Sequence, residues 1–171
     1  MSIDDLIADR VGRGMLFPLI PSVPGISPRR AMLIAEDLWD FLHAPGPNAD
    51  WDERKGRLQA DLEFFAEGLP IGPKYLFLLS PARECVWEIR STRPDPSIRV
   101  LGCFLRKNVF VATNFALRGE LGGWESRSWR DAKITSRVVW ARLFHPYQPL
   151  MSVNVGDVVS GALDGKYFKG Q

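Results

Sequence analysis

The succession VWEIR (residues 86–90), IRVLGCFL (98–105) and VFVATNFA (109–116) decides the fold of this chain. Each run is rich in β-branched and aromatic residues and is bounded by turn formers, which is the pattern of strands. RPDPS at 93–97 separates the first from the second, while Arg106, Lys107 and Asn108 make a tight hairpin between the second and third. Asn tolerates the positive φ that such a turn needs. The middle run is apolar on both faces except for Arg99, so a central position is expected for it.

These strands display cations. Arg90, Arg99, Arg106, Lys107 and Arg118 lie on or beside them, and Arg127, Arg130, Lys133, Arg137 and Arg142 follow in a segment with helical periodicity. Residues 83–142 hold 12 Lys or Arg against 6 Asp or Glu, so the formal net charge of +2 conceals a basic region with about −4 left elsewhere. A concentrated positive potential attracts polyanions, although a charge run is also the ordinary dress of a solvated face.

The basic helix is expected to start at Ser126 or Ser128 and to run to residue 144, with Trp129, Ala132, Val139, Trp140 and Leu143 packed back on the sheet. Pro146 and Pro149 end it. Upstream, residues 14–20 read as a short edge strand broken by proline, because Pro removes a ladder donor. Ser27 and Pro28 read as an N-cap and first helical position for a helix over 27–43, with Met32, Leu33, Ala35, Leu38, Phe41 and Leu42 at helical spacing. A second helix is predicted over 51–67, capped by Asp50, with Leu58, Leu62 and Phe65 on one face. Two helices joined by so short a loop form a hairpin that needs a sheet to cover. Residues 75–79 fit either a strand or a helical turn, and 151–171 either a last strand or a short helix.

A chain of 171 residues with 46% hydrophobic content suits one well-buried core better than two, so residues 1–171 read as a single domain. Cys85 and Cys103, each inside an apolar strand, fit reduced buried thiols better than a disulfide framework, and no Cys or His spacing suggests a metal. The N-terminus carries Asp4, Asp5, Asp9 and Arg10 in place of a signal peptide, and no apolar span reaches membrane length, so a cytoplasmic protein with no membrane partner is expected. The fold class expected is α+β: a small antiparallel sheet of three to five strands, the helical hairpin on one face and the basic helix at its edge.

With those residues in view, the chain resembles the RelE/HigB-type toxins of bacterial and phage toxin-antitoxin systems. The matching positions are Trp87, Glu88 and Arg90; Ile98, Arg99 and Val100; Phe115 with Arg118; and Ala132 early in the last helix. The resemblance places a toxin-like core at 51–145, an extension with the first helix at 1–50, and a tail at 146–171. It implies a metal-independent, cofactor-free endoribonuclease acting on RNA, free or on the ribosome, by attack of a ribose 2′-hydroxyl on the adjacent phosphate. It also implies an antitoxin protein that wraps the basic face.

By that resemblance Arg99 stabilises charge at the scissile phosphate, Arg118 grips a neighbouring phosphate, and Trp124 stacks on a base. Arg90, Lys107, Arg127, Arg130 and Lys133 extend the phosphate-binding surface. Many HigB-like members carry a lysine pair where this chain has Leu117 and Arg118, and arginine is a poor proton acceptor. The proton shuttle then falls to His145 and Tyr147, if the chain after the last helix folds toward the sheet. Glu88 and Arg90, two apart on one strand, read as a structural ion pair. Arg99, a charge on a central strand, is costly unless paired or functional. A second reading keeps the basic sheet without catalysis, as a phage or mobile-element binding or assembly protein whose first 50 residues form a docking arm or a cover over the basic groove.

Overall fold

A computed structural model describes residues 1–22 and 29–170. In chain order the elements are α1 (Ile3–Gly12), β1 (Leu16–Pro18), β2 (Ala31–Ala35), α2 (Glu36–His43), α3 (Ala49–Ala66), β3 (Leu76–Leu78), β4 (Trp87–Ser91), β5 (Ile98–Arg106), β6 (Val109–Leu117), α4 (Arg118–Leu121), α5 (Arg127–Phe144) and α6 (Val155–Val158). The six strands form one sheet in the order β1-β2-β6-β5-β4-β3, antiparallel except where β2 runs parallel to β6. The fold is α+β. No helix among the described residues is long and apolar enough to cross a membrane.

The three strands read from the sequence are β4, β5 and β6, and β5 is interior. Asn108 turns the β5–β6 hairpin at φ +65°, as its side chain permits. Alternation along the strands sends two sets of side chains to two cores. Met32, Ile34, Trp87, Ile89, Ile98, Val100, Phe104 and Phe110 face α2 and α3, where they meet Leu38, Leu58, Leu62 and Phe65. Leu33, Ala35, Leu101, Cys103 and Val111 face the other way, onto Leu6 of α1 and Trp129, Val139, Trp140, Leu143 and Phe144 of α5. Each of the larger aliphatic and phenylalanine side chains among these contributes about 1.5–3 kcal/mol by leaving water.

Several expectations are corrected. Among the described residues the sheet has six strands, not three to five, and the basic helix covers the second face of the sheet instead of its edge. Residues 31–35 are a strand, and the predicted helix over 27–43 survives only as α2; its proposed cap, Ser27 with Pro28, lies outside the described residues. AMLIA is apolar throughout because it is buried on both faces, and a strand of that kind cannot be told from a helix by periodicity. The α3 cap is Asn48, whose side chain accepts from Trp51 N, and not Asp50. The first 50 residues supply two strands and two helices of the fold itself, so neither an arm nor a cover over the groove describes residues 1–22 and 29–50.

Buried polar groups fix the layers. Arg30 donates to the carbonyls of Phe65, Leu69 and Ser160, gathering the end of α3 and the C-terminal segment. Thr113 of β6 meets Ser136 of α5 at 2.6 Å, and Asn114 donates to the Ala132 carbonyl, which sets the height of α5 on the sheet. Arg54 of α3 donates to Ser91 O, Ser91 Oγ and Pro96 O. At Gly102, beside a register shift in β5, an added Cβ would lie 2.6 Å from the Phe110 ring and closer still to the Val111 carbonyl oxygen. Cys85 and Cys103 are free and buried, and burial pushes the Cys103 thiol up to about 12.

Candidate nucleic-acid interface

Where Leu76, Leu78, Trp87, Ile89, Ile98 and Val100 point to the α3 side, their neighbours Phe77, Glu88, Arg90 and Arg99 point to the α5 side. Glu88 is fully buried at the centre of this group. Its Oε1 accepts from Arg90 Nε at 2.7 Å, and its Oε2 lies 3.4 Å from Arg99 Nε without a hydrogen bond. Burial pushes the Glu88 carboxyl above its ordinary range, against the opposing pull of Arg90, Arg99 and Arg118. The ion pair expected between Glu88 and Arg90 is present, and Arg99 shares the same carboxylate.

Ser97 links the two arginines the resemblance singled out. Its hydroxyl accepts from Arg99 Nη1 at 2.8 Å, and its carbonyl accepts from the backbone N–H of Arg118 at 2.8 Å. The Arg118 guanidinium stands 5.9 Å from the Trp129 ring centroid and donates to Gly122 O, while Arg90 lies 4.7 Å from the Phe77 centroid. Three guanidiniums around one carboxylate leave the cluster net positive, and desolvation makes an added anion worth more there than at an open surface.

Beside the cluster opens a cleft of roughly 1020 Å³, walled by Phe77, Trp124 and Phe168 and rimmed by Arg130, Lys133, Lys166 and Lys169. Among the described residues Glu125 is the only side-chain carboxylate lining it. Trp124 is 42% exposed; it stacks on Trp129 with centroids 4.9 Å apart and planes 16° off parallel, and lies 6.0 Å from Phe77. Its indole is therefore held rigid on one face and open on the other. The local reason is the N-terminus of α5: Ser126 caps it by accepting from Trp129 N, and the Ser126 hydroxyl donates back to Leu121 O, closing the glycine-containing loop that carries Trp124.

Of the residues expected from sequence, Arg90, Arg99 and Arg118 meet in the cluster, and Trp124, Arg130 and Lys133 line the cleft. Arg127 is exposed on the first turn of α5, 3.8 Å from Asp131. Lys107 sits at the hairpin turn, at the opposite end of β5 from Arg99, so about 25 Å of strand separates them. His145 and Tyr147 share a different hollow with Arg83, Cys85 and Arg137, where Tyr147 Oη donates to Met1 O. From Trp129 to His145 the helix spans about 24 Å, so the expected shuttle is not brought to Arg99 and Arg118.

Phe77, Lys166, Phe168 and Lys169 were missed. Residues 75–79 gave no strand-or-helix decision and hence no facing for Phe77. The string KYFK at 166–169, in which two lysines flank two aromatics, was the legible signal in the tail. Compared with models of known families, with characterised proteins and with solved structures, the chain finds no match. What the cleft does must be read from its own chemistry.

Proposed function

We propose that this protein binds single-stranded RNA in the cleft and acts as a RelE/HigB-like toxin, its basic face being the surface an antitoxin would cover. One observation carries the reading: a half-exposed indole shares a concavity with three further aromatic side chains, four cations and, among the described residues, a single acid. Unpaired bases stack on aromatic faces without regard to sequence while cations track the backbone, which is the general logic of single-strand binding. Arg99 and Arg118 beside this cleft support a phosphate position next to the stacked base.

Cleavage is the finer part of the proposal. The ribose 2′-oxygen would bond to phosphorus as the bond to the 5′-oxygen breaks, leaving a 2′,3′-cyclic phosphate and a 5′-hydroxyl, with one proton leaving the nucleophile and one reaching the leaving group. Arg99 and Arg118 suit the developing negative charge, a task in which losing one group costs about 2.7–4 kcal/mol of transition-state stabilisation. Glu88 is the carboxyl group closest to them, but it is fully buried and its Oε1 is held by Arg90, so the structure offers no base beside the two arginines among the described residues. The distance of His145 and Tyr147 favours the second reading, a protein that binds through the same surface without cutting.

Induced expression tests this directly. The proposal expects arrest of translation, RNA fragments ending in cyclic phosphate, and relief by Arg99→Ala or Arg118→Ala with the fold retained. Harmless expression with intact RNA removes cleavage and leaves binding to be judged on its own.

A further inference from the structure

The C-terminal segment is anchored along the open edge of the sheet. Ile71 N donates to Gly161 O and Leu163 N to Ile71 O, and further along both segments Leu78 N donates to Tyr167 O at 2.7 Å. Bridges pair Ile71 with Ala162 and Leu78 with Phe168, both parallel. The segment therefore follows residues 71–78 as an added, interrupted strand. Tyr167 pins it: the ring is buried in the α3-side core, and its hydroxyl lies within hydrogen-bond reach of the Ile71 and Leu163 carbonyls, either of which can accept its proton. At Gly165 the segment passes so close to Pro73 that an added Cβ would lie 2.8 Å from its ring.

This anchoring brings Lys166, Phe168 and Lys169 into the lining of the cleft, which Trp124, Arg130 and Lys133 also line. Lys166 and Lys169 are exposed and form no ion pair among the described residues. Two cations from α5 and two from the C-terminal segment, lining one cleft with aromatic rings, match the charge of a nucleotide flanked by its two phosphates. A duplex offers no free base face to such rings, because its bases stack on one another.

We infer that residues 166–169 form the second wall of the RNA site, so that one unpaired nucleotide lies between Trp124 and Phe168 with its flanking phosphates on Arg130 and Lys133 on one rim and Lys166 and Lys169 on the other. The inference rests on the RNA-binding reading above and adds the ligand's form and the residues that hold it.

The test uses the full chain, a fluorescent single-stranded RNA of eight nucleotides, and the same sequence as a duplex. Quenching of tryptophan emission that disappears in Trp124→Phe places the base on that indole. The double variant Lys166→Ala with Lys169→Ala should weaken binding and flatten the slope of log affinity against log salt by about 1.4, the share of two phosphates on a single strand. Phe168→Leu, which keeps an apolar side chain against the core, should weaken binding about tenfold with the slope unchanged, because stacking releases no counterions. The duplex should compete poorly. Unchanged affinity and slope in the double lysine variant, while Arg130→Ala with Lys133→Ala weakens binding, overturns the second wall and leaves the RNA-binding reading standing. Tight binding of the duplex overturns the unpaired-nucleotide claim, and no binding by the unaltered chain overturns the reading itself.

Discussion

Replacing Arg54 by Met tests whether α3 holds the loop that aims Arg99 and Arg118. Arg54 is 1% exposed and its guanidinium donates to Ser91 O at 2.7 Å, Ser91 Oγ at 3.0 Å and Pro96 O at 2.7 Å, while Nη1 has no hydrogen-bond partner among the described residues. Ser91 Oγ donates in turn to Asp61, which pairs with Arg57. Two opposed effects decide the outcome. Each charge-assisted bond is worth about 1.5–3 kcal/mol, but taking a guanidinium out of water costs several kcal/mol, and a Met of similar length recovers that cost. Burial is also the largest influence on Arg54, lowering its pKa.

Because the Pro96 carbonyl is left behind without a donor, the bonds should win by about 2–4 kcal/mol. For a chain of this size that is a fall in Tm of about 5–15 °C. Thermal unfolding by circular dichroism reads it. Below the new transition, RNA binding should also drop, since Ser97 follows Pro96 directly and contacts both Arg99 and Arg118. A variant that melts within about 2 °C of the parent, or above it, would show that desolvation outweighs the clamp. Lys at position 54, a point charge without the fork, should rescue the loss only in part.

Gly102→Ala should destabilise by about 1–3 kcal/mol or prevent folding, because the new methyl meets the Val111 carbonyl oxygen, which is backbone and cannot step aside, and a denaturant midpoint equal to the parent's would refute it. Glu88→Gln gives a pH signature. The folded carboxyl holds its proton more tightly than the unfolded one, so it contributes stability below the unfolded value that is lost as pH rises through the folded value, and the non-titrating variant should gain on the parent as pH climbs from about 4 toward neutrality. If the variant instead falls further behind over that range, Arg90 and Arg99 outweigh burial and Glu88 is a stabilised anion.

What the sequence disclosed follows from how each element is buried. β4, β5 and β6 were legible because turn formers bracket them and because Arg99 interrupts an otherwise apolar strand. β2 was not, since a strand covered by helices on both faces loses the alternation that would distinguish it from a helix. The pairing of Glu88 with Arg90 was readable from a two-residue spacing, but the sharing of Glu88 with Arg99 needs the register of β4 on β5. Arg130, Lys133 and Trp124 were found through charge and loop context. Lys166, Phe168 and Lys169 were not, because only the backbone bonds from Ile71 and Leu78 bring that segment to the cleft. His145 and Tyr147 failed as partners of Arg99 for the converse reason: closeness in sequence to the basic helix put them at its far end.

The central claim is that the cleft and its arginine cluster bind single-stranded RNA, and a salt titration of binding by the unaltered protein addresses it most directly. Three or four phosphate contacts predict log affinity falling against log salt with a slope of about −2 to −3, and replacing Arg118 should reduce that slope by less than one unit. Absence of RNA binding at low salt by a folded protein, or binding with a slope near zero, would contradict it.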